Sequence, residues 1–266
     1  MPAQAGVPSL SMCTSMRPAA IIPAYNCAGR IRAVVERCSR EVTEVVVVDD
    51  GSTDGTADEL RGLSRRGLCV ALRHPENRGK GAAIRTGLRY LRRRAPDMVV
   101  FLDGDGEHDP ADIPRLISAL KDAGLAVGCR DTHRSPARKA LNAWMALWMR
   151  MVVPGVRDPS CGLRAARWSL LECMELASDD FCIDAEMVLE ARRLGARMTS
   201  VPVACGSRAP STLRPRDYLA VNAFYDSWVV RHAKDLKLPA VRRLTLEVAC
   251  RLGLGLSALA LRCSRK

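Results

Sequence analysis

The chain has 266 residues, 48% hydrophobic and 26% charged, with a formal net charge of +12. At about 150 residues per domain this suits one large α/β unit with an appendage, and it disfavours wholesale disorder, collagen-like repeats and a polytopic membrane protein. The charge is uneven: from Ser207 onward twelve Lys and Arg face four Asp and Glu, which reads either as a basic tail that meets an anionic membrane surface or nucleic acid or as a solvated Arg-rich face. None of the eleven cysteines forms a CxxC pair, which reads as free thiols in a reducing cytoplasm. The longest apolar stretch, Leu244 to Leu261, is interrupted by Glu247 and Arg251, so a membrane-spanning helix is not expected.

Residues 1–16, with Pro2 and Pro8 and no periodicity, read as a loose leader. Short apolar runs then predict strands at Ala19–Ile22, Glu44–Val48, Leu68–Leu72, Met98–Leu102 and Leu125–Val127, several of them continuous and β-branched as in strands buried on both faces. Helices are expected after Gly29, near Thr56, from Gly81 to Arg94 and from the Asp109-Pro110 step, where Asp caps and Pro suits the first turn. This alternation predicts a mostly parallel sheet, whose ligands bind beyond the carboxyl ends of the strands. After Ser135 the sequence predicts a helix carrying Trp144, Met145, Trp148 and Met149 at core spacing, then a Pro/Gly loop. A helix from Asp184 to Leu194 and a strand at Val201–Val203 follow, and residues 215–266 read as a helical basic extension with a break at Pro239.

The chemistry sits at the strand ends. Val45–Val48 runs into Asp49-Asp50-Gly51-Ser52, where a carboxylate can accept from a base or ribose, though the same residues also make ordinary capped turns. Phe101-Leu102 runs into Asp103-Gly104-Asp105-Gly106-Glu107-His108-Asp109. Four acids in seven residues repel one another without a cation, and hard oxygen donors suit Mg²⁺ or Mn²⁺ holding a nucleotide diphosphate. An EF-hand is excluded, because with Asp103 as position 1, Pro114 stands where a bidentate Glu is required. A P-loop is excluded too, since His74 takes the place of its first Gly and Gly81 follows Lys80. Lys80 is left either steering a donor or solvated, and His108 is expected to support the following helix start.

In order and spacing, IPAYN from Ile22, VVVVDDGSTDGT from Val45, NRGKGAAIRTGL from Asn77, FLDGDGEHDP from Phe101, GCR from Gly128 and DPSCGLRA from Asp158 resemble a family 2 glycosyltransferase of GT-A fold. The resemblance spans roughly residues 21–214 and is nearest to the polyprenyl- and dolichyl-phosphate mannose and glucose synthases. It implies a GT-A domain over residues 17–214, with Pro23, Tyr25, Val48, Asp50, Lys80, Asp103, Gly104, Asp105, Arg208 and Arg214 at the nucleotide-sugar. It likewise implies Asp103, Asp105 and Glu107 around Mg²⁺ or Mn²⁺, Arg130 and Arg138 in catalysis, and Arg138 with Asn142 at the acceptor phosphate. Cys27 stands where these synthases often carry Glu, Glu107 where Gln is usual, and Arg214 where Lys is common.

The expected reaction is inverting transfer from a UDP- or GDP-sugar to a polyprenyl phosphate, by an enzyme peripheral to the cytoplasmic membrane face. A phosphate acceptor needs no general base; an alcohol would need one, for which Asp158, Asp184 and Glu186 are the candidates. The alternatives are the same fold acting on a soluble or alcohol acceptor, and a basic nucleic-acid-binding protein. Against the latter stand the absence of zinc-finger spacing or an RNP-like aromatic motif and an acidic turn that repels phosphate.

Overall fold

The computed structural model describes residues 16–130, 149, 152–204, 215–236, 248 and 250–251, with backbone only for 215–219. In chain order the strands are β1 (Pro18–Ala24), β2 (Glu44–Asp49), β3 (Val70–Arg73), β4 (Met98–Phe101), β5 (Leu125–Arg130), β6 (Arg164–Arg167) and β7 (Met198–Val203). The helices are α1 (Ile31–Cys38), α2 (Thr56–Arg65), α3 (Lys80–Leu91), α4 (Ile113–Ala119), α5 (Trp168–Leu171), α6 (Cys182–Arg193) and α7 (Pro215–His232), and a 3₁₀ turn, Pro110–Asp112, leads into α4.

One seven-stranded sheet runs β3-β2-β1-β4-β6-β5-β7. Every pairing is parallel except those of β6, which lies antiparallel between β4 and β5. The expected strands are present, with the third beginning two residues later, at Val70, on the sheet edge. The Pro/Gly loop expected before α6 instead contains β6 and α5. In β2 the run Val45–Val48 is buried throughout, and each such side chain removed from water contributes about 1.5–3 kcal/mol before entropy is counted.

Helix periodicity follows the sheet. Ile31, Val34, Val35 and Cys38 form the buried stripe of α1, and Thr56, Leu60 and Leu63 that of α2. Helix α3 packs on β1 and β2, close enough that a methyl group on Gly87 would lie 2.7 Å from Ile21 Cγ2. Helix α6 is buried on every side from Cys182 to Ala191, between α3 and α7. Asp109 accepts from Ala111 N at 2.8 Å with Pro110 behind it, so the turn into α4 is held by Asp109, while His108 points into the core.

Met149 is helical and buried. Trp144, Met145, Trp148, residues 1–15 and most of the tail beyond Leu236 lie outside the described residues. Among the described residues no helix is long and apolar enough to cross a membrane.

Candidate active site

Four parallel strands, β1, β2, β4 and β5, deliver their carboxyl ends to one edge of the sheet. Past the strands the chains stay stitched together: Asp50 N donates to Ala24 O, His74 N to Asp49 O, Leu102 N to Ile21 O and Gly104 N to Pro23 O. Gly104 permits this approach, since a Cβ there would stand 3.1 Å from Pro23 O and 3.0 Å from Ile31 Cδ1. Pro23 and Val48 form a buried floor, and Tyr25 projects from it, 46% exposed. Cys27 is buried with its thiol on the Tyr25 carbonyl at 3.5 Å, and burial pushes that thiol up to about 11.

At the end of β4, Asp103 meets Lys80. Lys80 Nζ lies 2.7 Å from Asp103 Oδ1 and 2.8 Å from Asp184 Oδ2 at the start of α6. Asp184 is held from beneath by Arg164, which opens β6 and is fully buried. Its guanidinium donates to the carbonyls of Asp184 (2.6 Å), Pro159 and Cys161 and lies 3.2 Å from Asp184 Oδ1. Two cations therefore balance two carboxylates in a largely sealed cluster. Burial alone would raise the pKa of Asp103, but Lys80 outweighs it and holds it below the ordinary carboxylate value. Burial likewise opposes the charge of Lys80, and Asp103 and Asp184 more than restore it.

Among the described residues Asp105 has no ion-pair partner, and Lys80 and Arg30 only partly offset what burial and Asp103 do to it. Burial, and next the charge of Asp103, push its carboxyl above the ordinary value, and its Oδ1 accepts from Glu107 N at 2.9 Å. Glu107 itself turns to Arg130, at 3.4 Å. Arg130, at the end of β5, is held in two places by Asp158 (2.6 and 2.9 Å) and by Ser160 Oγ at 3.0 Å. Burial would raise Asp158, but the guanidinium holds it low. His108 is buried beside Cys161, its Nδ1 without a hydrogen-bond partner among the described residues, and burial lowers its pKa.

Asp103, Asp105 and Glu107 do not converge as three ligands, and no group of three His, Cys, Asp or Glu among the described residues is disposed around an ion. The donor set that remains, two hard carboxylates of which one is destabilised in its charged form, fits Mg²⁺ or Mn²⁺. Such ions are commonly held by one or two carboxylates and completed by substrate phosphates rather than caged by protein.

Asp50, expected at the nucleotide, directly follows β2 and is buried, accepting from His74 Nδ1, Arg78 N and Gly79 N. The structure thus brings Pro23, Tyr25, Val48, Asp50, Lys80, Asp103, Gly104, Asp105, Glu107 and Arg130 to one edge. Arg138, Asn142, Arg208 and Arg214 lie outside the described residues. Sequence inspection gave no role to Arg164, Gly162 or His74. Arg164 and Gly162 sit inside the DPSCGLRA segment, and an arginine between apolar residues directly before Ala-Ala was the available signal of a buried cation.

The chain matches the family described as Glycosyl transferase family 2 over residues 19–165. It is 32% identical over 210 residues to the undecaprenyl-phosphate mannosyltransferase of Micrococcus luteus, covering 71% of this chain and 83% of that protein. It is 31% identical over 212 residues to the polyprenol monophosphomannose synthase of Mycolicibacterium smegmatis, covering 71% and 77%. Glucosyl-3-phosphoglycerate synthase from Mycobacterium tuberculosis, solved with Mn²⁺, UDP and glucosyl-3-phosphoglycerate, superposes with a TM-score of 0.63 at 22% identity, over 85% of this chain and 81% of that one. That likeness is one of fold, the GT-A fold. With a matched segment running from β1 into β6 and two relatives above 30% identity, the chain belongs to glycosyltransferase family 2.

Proposed function

We propose that the protein transfers a sugar from a UDP- or GDP-sugar to a polyprenyl phosphate, with inversion, at the cytoplasmic face of a membrane. The observation that carries the choice of acceptor is the state of the three carboxylates an alcohol acceptor would require as base. Asp158 is clamped by Arg130 and Ser160. Asp184 lies between Lys80 and Arg164, and Glu186 accepts from Ala177 N and Ser178 N at 3.1 and 2.9 Å. A carboxylate held by a cation or by backbone donors is a poor proton acceptor. An acceptor that arrives ionised, as a phosphate monoester does, needs none, and the polyprenyl-phosphate names of the relatives support the same choice.

The bond from the anomeric carbon to the donor diphosphate breaks as a phosphate oxygen of the acceptor forms its own bond from the opposite face, and the nucleoside diphosphate leaves. Pro23, Val48 and Tyr25 would bound the nucleoside. Asp103 and Asp105 would hold a Mg²⁺ or Mn²⁺ ion, which supplies Lewis-acid neutralisation of the leaving diphosphate. Arg130, fixed by Asp158, presents a preorganised positive charge toward the same edge, and Arg138 with Asn142 would orient the acceptor. The basic residues of the tail would favour an anionic membrane surface, while Tyr225 and Trp228 on α7 are buried in the core.

The test is metal-dependent transfer of label from a panel of UDP- and GDP-sugars into organic-extractable polyprenyl phosphate, comparing wild type with Asp105→Ala. Lipid-linked label that disappears in the variant is the expected result. Label passing only to water or to soluble acceptors would overturn the acceptor and leave the fold and the donor chemistry standing.

A further inference from the structure

A cavity of about 170 Å³ lies between α3 and the chain that follows β6. One side of it is apolar, made by Leu88 of α3, Leu171 of α5, and Met174 and Leu176 just beyond. Trp168 completes that side. It is 8% exposed, and its backbone N donates to Asp97 O at 3.0 Å. The indole Nε1 is buried and has no hydrogen-bond partner among the described residues, an uncommon state for a buried donor.

The opposite side is cationic. Arg85, Arg89 and Arg92 recur at i, i+4 and i+7 along α3 and its C-cap, and so share one face. They are not equivalent. Arg85 is committed to Ser178 O and the Asp179 carboxylate. Arg89 and Arg92 are exposed and have no ion-pair partner among the described residues, Arg89 reaching only Thr86 Oγ1 at 3.2 Å. Glu172 is the one carboxylate lining the cavity, so two uncommitted guanidinium groups outnumber it. Size limits what can enter: an apolar cavity of about 150 Å³ holds one benzene ring, and a nucleotide is too large. Position separates the cavity from the donor edge, because Arg89 and Arg92 lie beyond Lys80 by about 14 and 18 Å along the helix.

We infer that this cavity binds a small phosphate monoester whose apolar group is the size of a single ring, at a site separate from that of sugar transfer. Arg89 and Arg92 take the phosphate oxygens, which their forked donors match. The apolar group packs on Leu171, Met174 and Trp168, and Arg85 keeps its bond to Asp179.

The probe is phenyl phosphate added to the full-length protein, with inorganic phosphate standing for the head alone and phenol for the ring alone. Calorimetry should find phenyl phosphate bound about tenfold or more tighter than either part. The Trp168 indole N–H resonance, assigned through Trp168→Phe, should move during the titration while the other indoles hold still. The Arg89→Gln/Arg92→Gln double variant changes two exposed side chains. It should bind phenyl phosphate about tenfold or more weakly, with Tm and UDP binding in Mn²⁺ as in wild type. Saturating UDP with Mn²⁺ should not displace the probe. Inorganic phosphate binding as tightly as phenyl phosphate would reduce the site to an arginine patch and overturn the inference. No binding of phenyl phosphate at about 10 mM, or a loss below about threefold in the double variant, would overturn it too. So would a Trp168 resonance that stays in place, or competition with UDP. The inference does not rest on the proposed function: if wild type binds no UDP, the affinities, the indole resonance and the double variant still decide it.

Discussion

Gly162, two residues before the buried Arg164, offers a stringent test of the site. A Cβ there would stand 2.0 Å from Asp103 Oδ2 and 2.7 Å from its Cγ. Carbon-to-oxygen contacts close to about 3.3 Å, so in Gly162→Ala the carboxylate or the 158–163 chain must yield by about 1.3 Å. Gly162 is not among the residues at positive φ, so the methyl group is the only obstacle. The carboxylate cannot withdraw freely, because Oδ1 is bound to Lys80. Overpacking of this kind costs about 1–3 kcal/mol, or about 2–12 °C in Tm for a domain of this size. A displacement of about 1 Å at a reacting centre costs about 100-fold in rate, which is about 2.7 kcal/mol of transition-state stabilisation. The assay is sugar transfer at saturating donor, with Mn²⁺–UDP binding followed by titration and Tm by calorimetry. In an Asp103→Ala background the added methyl has room, and the Tm loss should vanish. A Gly162→Ala protein with wild-type Tm and with kcat within about threefold of wild type would refute the packing described around Asp103.

Other expectations follow from the same structure. Gly62→Ala, in α2 with open space around it, should stabilise by about 1 kcal/mol in denaturant without altering transfer, because Ala loses less backbone entropy in a helix. Burial raises Asp226 to about 6 against the Cys250 thiol that hydrogen-bonds it. Its native pKa exceeds the unfolded one, so the native state binds more protons and stability falls as pH rises through about 4 to 6. Asp226→Asn should flatten that slope and stabilise at pH 7.5 by up to about 3 kcal/mol, checked by urea unfolding at pH 4.5 and 7.5. Lys80→Met should cost about 3–5 kcal/mol in the same assay, since it leaves Asp103 and Asp184 sharing only Arg164. The full chain should float with anionic vesicles, less so at high salt, while a chain ending at Arg214 stays behind.

The parallel half of the fold was legible because β1, β2 and β4 are apolar runs buried on both faces, a pattern with few competing explanations. Strand β6 was not. Its sequence, Arg-Ala-Ala-Arg, carries no β-branched residue, and it belongs in the sheet because two alanines fit between β4 and β5 while Arg164 spends its charge on Asp184 and three carbonyls. The acid cluster announced itself by crowding, yet its electrostatics did not. Lys80 and Asp184 are 104 positions apart, and nothing local links them. The partners of Asp50 were hidden for the same reason, since they come from a loop 24 to 29 residues downstream, and the motif around it reads equally as a ligand contact and as a turn.

The reversed strand also sets the order in which the molecule can be built during synthesis. Strands β3, β2, β1 and β4 pair only with one another until β6 arrives, so residues 18–101 can close a four-stranded sheet while later chain is still in the ribosome. Strand β5 emerges next, but its partners are β6 and β7, and at 5–20 residues per second the wait from Arg130 to Arg164 is about 2–7 s. During that interval Leu125, Ala126 and Val127 have no sheet to join, and Asp103 already faces Lys80 without Asp184 or Arg164. A chain that folds as it is made would then pass through a stage with four of its seven strands paired and an incomplete charge cluster, the stage at which a holding chaperone would find the most to bind.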